Sequence, residues 1–195
     1  MKTYTRWQLL ILACTALASL LVFYLTPGFN DKSLLSNPAP QGQVLGKISP
    51  GLPVRLTIPA ININATVEHV GVNPEGEMEV PSNAINVGWF TLGSRPGEKG
   101  SAVISGHFDS QNDEVGVFAN LHKLKKGDKL YAEDSKGIST IFVVKESRIY
   151  DPGYAEDVFT RSDGTYLTLI TCDGVWDGDT KSYSKRLVVF ADLLR

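Results

Sequence analysis

From Leu52 to the end of the chain, short β-branched segments alternate with turn residues, and this pattern limits the fold more than any other feature. Runs rich in Val, Ile, Phe and Thr favour strands, because branched and aromatic side chains pack well on a pleated surface. Turn signals such as Asn73-Pro74-Glu75-Gly76 separate the runs. We expect strands over residues 54–58, 61–72, 77–81, 87–91, 102–105, 129–132, 138–150, 165–172 and 186–193.

Helical signals in the same region are few. We expect a short helix over residues 117–124, ending at Gly127, and a further helical turn over residues 155–160. Seven to nine strands with so little helix indicate an all-β domain over residues 52–195, closed or nearly closed into a β-barrel.

The N-terminal part of the chain has a different character. Residues 7–25 carry no charge, and as a helix these 19 residues would span about 28 Å, close to the ~30 Å hydrocarbon core of a membrane. Lys2 and Arg6 precede them and Asp31 is the first charge after them. The positive-inside rule therefore predicts a cytoplasmic tail at residues 1–6, a transmembrane anchor, and an exported domain. A cleaved signal peptide is the alternative, although the apolar run is longer than a usual signal core.

Residues 26–51 contain repeated Pro and Gly and no hydrophobic period. This composition is typical of a linker, which would tether the domain to the membrane. Packing of part of the linker on the domain surface is the alternative. The formal net charge of −2 provides no basic surface, so nucleic acid is excluded as the expected partner.

Cys172 is the only cysteine outside the apolar N-terminal run, which contains Cys14. It cannot form a structural disulfide within the exported domain, so it is either an inert core residue or a nucleophile. Cys and His do not occur at zinc-site spacing. The acidic pairs at 113–114 and 177–179 lack the full calcium-binding loop. We therefore expect no metal and no cofactor.

Three residues at predicted strand ends have complementary chemistry: His107, Cys172 and Arg186. A thiolate can attack a carbonyl carbon, and an imidazole can move the protons. A guanidinium can stabilise a developing oxyanion or orient a substrate. From residue types alone the alternative stays open that these are a core cysteine, a turn histidine and a surface arginine.

The segments around these residues resemble the sortase family of cysteine transpeptidases. Thr168-Leu169-Ile170-Thr171-Cys172 matches the family's Thr-Leu-x-Thr-Cys signature, and Arg186 follows 14 positions after the cysteine. Gly106-His107 and Phe118-Ala119-Asn120-Leu121 are also similar to sortase segments. The resemblance covers residues 52–195. The compact domain, Gly88-Trp89-Phe90 and the lack of a C-terminal membrane helix resemble the class F and class E branches.

The resemblance implies an eight-stranded β-barrel with the cysteine and the arginine on neighbouring strands. It implies cleavage of a C-terminal sorting signal such as Leu-Pro-x-Thr-Gly through a thioester, and transfer to an amine of a peptidoglycan precursor or a pilin. Cys172 would be the nucleophile, His107 the acid and base, and Arg186 the oxyanion or substrate-positioning residue. Thr171 would line the site, and Trp176 and Trp89 are candidates for the peptide groove, although either tryptophan could be core.

The expected partners are therefore secreted proteins with a sorting signal, an amine acceptor and membrane lipid. The expected location is the cell membrane, which the chain would cross once, with its catalytic domain outside the cytoplasm. Two other functions stay open: a non-catalytic exported β-domain that binds peptide or wall material, and an exported thiol hydrolase. We interpret His69 and His122 as structural residues, and Asp109 and Asp173 as solvated loop carboxylates.

Overall fold

The computed structural model describes residues 49–109, 115–153 and 156–195. The expected tail, the apolar segment 7–25 and the linker up to residue 48 lie outside these residues. In the described part of the chain, no helix is long and apolar enough to cross a membrane.

The described residues form a closed barrel of eight strands, in the order β1-β2-β3-β4-β7-β8-β6-β5. This confirms the predicted all-β barrel. The strands are β1 (Pro53–Ile58), β2 (Ile63–Val70), β3 (Val87–Phe90), β4 (Gly100–Gly106), β5 (Lys129–Asp134), β6 (Ser139–Tyr150), β7 (Thr165–Asp177) and β8 (Ser182–Leu193). The helical elements are short: 3-10 turns at Pro59–Ile61 and Leu121–Lys123, and a helix α1 at Glu156–Thr160.

Alternation along the strands sorts side chains between the barrel interior and its outer face. Leu56, Ile104, Phe142, Leu169 and Val189 are among the fully buried side chains of the interior cluster. Each such side chain stabilises the fold by about 1.5–3 kcal/mol relative to an exposed one.

A second cluster covers part of the outer face. It joins Val103 of β4, Val158 of α1, and Val188 and Phe190 of β8. All seven residues of β4 are consequently buried. Strands β4, β7 and β8 are therefore packed on both faces. The proposed site residues lie near the ends of these three strands.

The register brings the strand ends together. β4 and β7 are parallel neighbours, paired from Gly100–Thr165 to Ser105–Ile170. β7 and β8 are antiparallel, with Cys172 opposite Arg186. The C-terminal ends of β4 and β7 therefore lie at the same end of the barrel, beside the start of β8.

Three expectations about individual elements were wrong. Residues 77–81 form one isolated bridge, between Val72 and Met78, and the backbone bonds of this segment are local: the Glu79 amide donates to Gly71 O and the Asn73 amide to Glu77 O. Residues 117–124 form successive i to i+3 turns, with a 3-10 turn at their end. The strand that we expected to end at residue 172 continues to Asp177, and the strand that we expected to begin at residue 186 begins at Ser182, so the chain after Cys172 forms a hairpin.

The chain enters the barrel at the end opposite Cys172. The Gly51 amide donates to Asp134 Oδ2 at 2.7 Å. Pro50 O accepts from Arg95 Nη1 at 3.1 Å, and Ser49 O from Lys136 Nζ at 2.8 Å. The end of the predicted linker that the structure describes thus packs on the domain.

Candidate active site

His107, Cys172 and Arg186 share one face and one end of the barrel. Leu167 and Leu169 of β7 belong to the interior cluster, so strand alternation puts Cys172 on the outer face. Arg186 has the same parity as Val188, which lies in the outer cluster. Ser105 of β4 pairs with Ile170 of β7. His107 and Cys172 each lie two residues after this pair, so alternation puts both on the same face as the pair.

Thr171 fixes the spacing between the strands that carry His107 and Cys172. Its Oγ1 donates to Gly106 O at 2.8 Å. Gly106 directly precedes His107, and Thr171 directly precedes Cys172. Thr171 is only 4% exposed, and alternation points its side chain into the barrel. The structure therefore places Thr171 next to the proposed nucleophile but beneath the site, as a strand-joining residue, whereas we expected it to line the site.

Trp89 also lies in the interior. It is 3% exposed and belongs to the main core cluster. Its Nε1 donates to Ser94 O at 3.0 Å, and its ring packs edge-on against His69. Of the two alternatives for Trp89, the structure shows the core position, so we do not include it in the groove.

The Cys172 thiol is half-buried between opposing charges. Burial raises the pKa of Cys172; the positive charge of Arg186 lowers it and the negative charge of Asp109 raises it, and the pKa ends above its ordinary value. The protonated thiol is consequently the main resting form at neutral pH. Reaction requires a base that removes its proton as the substrate arrives.

The His107 ring is held by a backbone carbonyl. Nε2 lies 2.9 Å from Pro81 O, and since a carbonyl only accepts, Nε2 carries the hydrogen. Nδ1 is then the nitrogen available for proton exchange. This contact sets the tautomer of the imidazole, which decides which nitrogen can act as a base.

Glu68 supports the segment that contains Pro81. Its carboxylate accepts from the amide and hydroxyl of Ser82, at 2.8 and 2.9 Å, and from Asn86 Nδ2 at 2.7 Å. Burial opposes ionisation, but the hydrogen bonds from Asn86 and Ser82 and the charge of His107 hold the pKa of Glu68 below its ordinary value. Sequence reasoning missed Glu68, because nothing local marks a strand carboxylate as a partner of a residue 39 positions away.

The segment around Phe118 supports the backbone of His107. The Phe118 amide donates to His107 O at 2.9 Å, and the Gly116 amide to Phe108 O at 3.0 Å. A Cβ at Gly116 would lie 2.2 Å from His107 O, so only glycine permits this approach. The Phe118 ring packs against Gly106. The sortase-like segment 118–121 is thus a support for the histidine.

Arg186 is held by its own hairpin. Its Nη1 donates to Tyr183 O and Lys185 O, both at 2.9 Å, and Nη2 to Ser182 Oγ at 3.3 Å. These neutral acceptors orient the guanidinium without neutralising it. The charge therefore stays available to a substrate oxygen or to the thiolate.

Trp176 lies on β7 in the hairpin and is 53% exposed. Its ring packs edge-on against Tyr183 at 5.3 Å between centroids, and Tyr183 packs likewise against Phe108 at 5.6 Å. Among the aromatic residues that we predicted for the groove, only Trp176 has the exposure that a peptide contact requires.

The remaining candidates lie away from this arrangement or outside the described residues. His69 Nε2 lies 3.1 Å from Pro53 O, and His122 Nδ1 lies 3.1 Å from Ala119 O on the 3-10 turn. Asp113 and Glu114 lie outside the described part of the chain. In that part, no group of three or more His, Cys, Asp or Glu side chains is arranged to hold a metal.

Solved structures with the same fold are bacterial sortases. Sortase C-1 from Actinomyces oris aligns with 25% identity and a TM-score of 0.58, covering 76% of this chain and 74% of that one. Sortase A from Corynebacterium diphtheriae aligns with 20% identity and a TM-score of 0.59, covering 76% and 63%. Sortase C from Clostridium perfringens SM101 aligns with 24% identity and a TM-score of 0.55, covering 76% and 73%.

The sequence comparison agrees with the fold. No curated protein is detectably similar to this chain in sequence. The profile of the Sortase domain matches residues 56–194, which is most of the chain and all eight strands except the start of β1. The chain therefore belongs to the sortase family of cysteine transpeptidases.

Proposed function

We propose that this sortase cleaves a C-terminal sorting signal of the Leu-Pro-x-Thr-Gly type and transfers the protein to an amine of the cell wall or of a pilin. One observation carries the proposal: Cys172 lies directly opposite Arg186, on the same face and end of the barrel as His107.

The proposed reaction begins at the Cys172 thiol. His107 takes its proton as sulfur adds to the carbonyl carbon of the threonine. The carbonyl oxygen becomes an oxyanion that the guanidinium of Arg186 stabilises. The carbon–nitrogen bond breaks, the imidazolium gives its proton to the departing amine, and a thioester is left on Cys172.

An acceptor amine resolves the thioester. Its nitrogen attacks the carbonyl carbon, the carbon–sulfur bond breaks, and a new amide forms. His107 takes the proton that the amine loses, and the sulfur leaves as thiolate and is reprotonated. If water takes the place of the amine, the same residues carry out hydrolysis, which is the alternative that the acceptor test below separates.

The surface around Cys172 suits an apolar peptide. Trp176 and Val175 are exposed on the hairpin, and Val175 is 74% exposed. On the histidine side, Val80 and Val115 are also exposed. Exposed apolar side chains on both sides of a polar centre are typical of a peptide-binding groove. We assign Trp176 to this groove.

We further propose that residues 7–25 anchor the enzyme in the cell membrane with residues 1–6 in the cytoplasm. The lack of charge and the position of Lys2 and Arg6 support this arrangement. Ser49–Gly51, at the end of the proposed linker, bind at the barrel end opposite Cys172. The assignment to class F or class E stays a prediction.

The test is a library of sorting-signal peptides incubated with the purified chain and followed by mass spectrometry. We expect a thioester adduct on Cys172, its resolution by added amines, and no adduct with Cys172→Ala. Arg186→Gln should slow adduct formation by roughly 100-fold or more, the effect of losing an oxyanion-stabilising donor. A folded chain that forms no adduct with any peptide would contradict the proposal, and an adduct resolved only by water would indicate a hydrolase.

A further inference from the structure

A hydrogen bond joins the two sides of the site. The Tyr183 hydroxyl, on β8, donates to Asp109 Oδ2, two residues after His107. The bond spans the outer face from the hairpin to the histidine segment. Asp109 is exposed and Tyr183 is half-buried, so the bond lies at the surface of the site and not in the core.

We propose that Tyr183 is a positioning residue, which fastens the β7–β8 hairpin to the histidine segment through Asp109 and so aligns Arg186 with Cys172 and His107. The inference rests on the proposed roles of those three residues.

The link from Tyr183 to Arg186 is short. Arg186 Nη1 donates to the backbone carbonyl of Tyr183, and Nη2 to the hydroxyl of the adjacent Ser182. The direction of the guanidinium is therefore set by the backbone carbonyls of Tyr183 and Lys185 and by the Ser182 hydroxyl. When the Tyr183 side chain binds Asp109, it restrains the backbone that holds Arg186.

Two aromatic rings hold Tyr183 in the direction of Asp109. Its ring packs edge-on against Phe108 on one side and Trp176 on the other. The hydrogen bond with Asp109 is the largest cause that raises the pKa of Tyr183 to about 12. The phenol therefore stays protonated and donates at neutral pH.

The same bond modulates the charge near the thiol. The negative charge of Asp109 raises the pKa of Cys172, against the positive charge of Arg186. The Tyr183 hydroxyl draws part of the charge of the carboxylate toward itself and weakens this effect. Without the hydroxyl, Asp109 should raise the thiol pKa further; without the charge of Asp109, the thiol pKa should fall.

The other ionisable groups near the thiol do not reverse this expectation. His107 is bonded to Pro81 O through Nε2. Lys185, next to Arg186, is paired with Asp151 at 2.5 Å. Asp173 follows Cys172 on β7 and opposes Lys185 across the strands. All are kept unchanged in the variants below.

The experiment measures the pH dependence of Cys172 alkylation by iodoacetamide in the full 195-residue chain, with peptide-resolved mass spectrometry to separate Cys172 from Cys14. Tyr183→Phe should move the midpoint of the profile upward, and Asp109→Asn downward, each by roughly 0.3–1 pH unit. The matched control is Tyr166→Phe, which removes a Tyr–Asp hydrogen bond of 2.7 Å to Asp163 at the other end of β7. The control should leave the midpoint unchanged.

Turnover of the best library peptide tests the positioning role. Tyr183→Phe should lower kcat roughly tenfold with a smaller change in KM, because a misdirected Arg186 loses contact mainly with the transition state. Asp109→Asn should lower kcat less, since an amide oxygen still accepts from Tyr183. Thermal unfolding of each variant checks that the barrel is intact.

The outcomes separate this inference from the proposed function. The inference is overturned if Tyr183→Phe has the same alkylation midpoint and the same kcat as the control Tyr166→Phe. It is also overturned if Tyr183→Phe and Asp109→Asn shift the midpoint in the same direction. If no peptide forms an adduct but the midpoints move in opposite directions, the proposed transpeptidation fails while the link between Tyr183, Asp109 and Cys172 stands.

Discussion

At the scale of single residues, burial and two opposite charges together set the pKa of Cys172. Burial and Asp109 favour the neutral thiol, and Arg186 favours the thiolate. The cross-strand pairing of Cys172 with Arg186 makes the arginine the main group that opposes the cost of burial. The arginine therefore has two proposed roles: it eases ionisation of the thiol and stabilises the oxyanion.

Removal of the Arg186 charge should raise the pKa of Cys172 still further. We expect Arg186→Gln to slow iodoacetamide alkylation of Cys172 at pH 8 by roughly 3- to 10-fold, because one unit of pKa changes the thiolate fraction tenfold below the midpoint. Arg186→Lys keeps the charge and serves as the control, with a smaller change. Equal rates in wild type and Arg186→Gln would show that the guanidinium does not act on the thiol.

Thr171 should matter for stability as well as for alignment. Thr171→Val keeps the shape but leaves the buried Gly106 carbonyl without its donor, which should lower the free energy of unfolding by about 1–3 kcal/mol. Thr171→Ser keeps a hydroxyl and should lose less. Urea unfolding of the two variants provides the measurement. A larger loss in Thr171→Ser than in Thr171→Val would contradict this expectation, because it would show that the methyl group contributes more than the hydrogen bond.

At the scale of elements, the β7–β8 hairpin has a bend built into it. The register shifts between Asp173 and Trp176, and Gly174 has φ of +82°. The Val175 amide donates to Ser184 Oγ at 3.0 Å across the hairpin. Such a bulge increases the local twist and re-aims side chains, here those of Trp176 and its partner Tyr183.

Gly174→Ala should disturb this hairpin. A Cβ at this position would lie 2.5 Å from Ser184 Oγ. The alanine would also have to keep the left-handed backbone conformation of Gly174, at a cost of about 1–2 kcal/mol. Gly178→Ala, in the same hairpin, has no atom within 4 Å of its Cβ and is the matched control. We expect Gly174→Ala alone to lower both the midpoint of urea unfolding and kcat. Equal behaviour of the two alanine variants would contradict a structural role for the bulge.

At the scale of the whole molecule, the barrel has one end that carries Cys172 and an opposite end at which residues 49–51 join it. Asp134 organises the latter: one carboxylate oxygen accepts from Gly51, and the other from the amides of Lys136 and Ile138. Burial opposes ionisation, but these hydrogen bonds and the charge of Lys136 hold the pKa of Asp134 below its ordinary value. Chain entry is thereby fixed far from Cys172.

The lowered pKa gives the Asp134 contribution a defined pH dependence. The stabilisation is fully present above the unfolded pKa of 3.8 and is lost as pH falls toward the folded pKa. Asp134→Asn should lower the free energy of unfolding at pH 7 by about 1–2 kcal/mol, because one backbone donor loses its acceptor. The difference from wild type should shrink below about pH 4, as urea unfolding at several pH values can show. A constant difference would mean that ionisation of Asp134 is not involved.

Most of the strand positions could be predicted from the sequence, because strand propensity and turn chemistry are local. The β-branched runs around residues 54–58, 138–150 and 186–193 all lie within observed strands, apart from one residue at an end. The segment at 77–81 shows the limit of such reasoning: its composition favours a strand, but no neighbouring strand is placed to pair with it beyond one bridge.

The sequence by itself determined the all-β class and the sortase-like signature that ends at Cys172, and it made His107, Cys172 and Arg186 candidates for acyl-transfer chemistry. Only the tertiary structure decided which strand ends meet, and therefore that Cys172 faces Arg186. It also decided that Thr171 and Trp89 face the interior, and that Asp109 and Tyr183 meet across 74 positions of sequence. The physical reason is that composition and periodicity act over a few residues, whereas barrel closure and register set which distant side chains share a face.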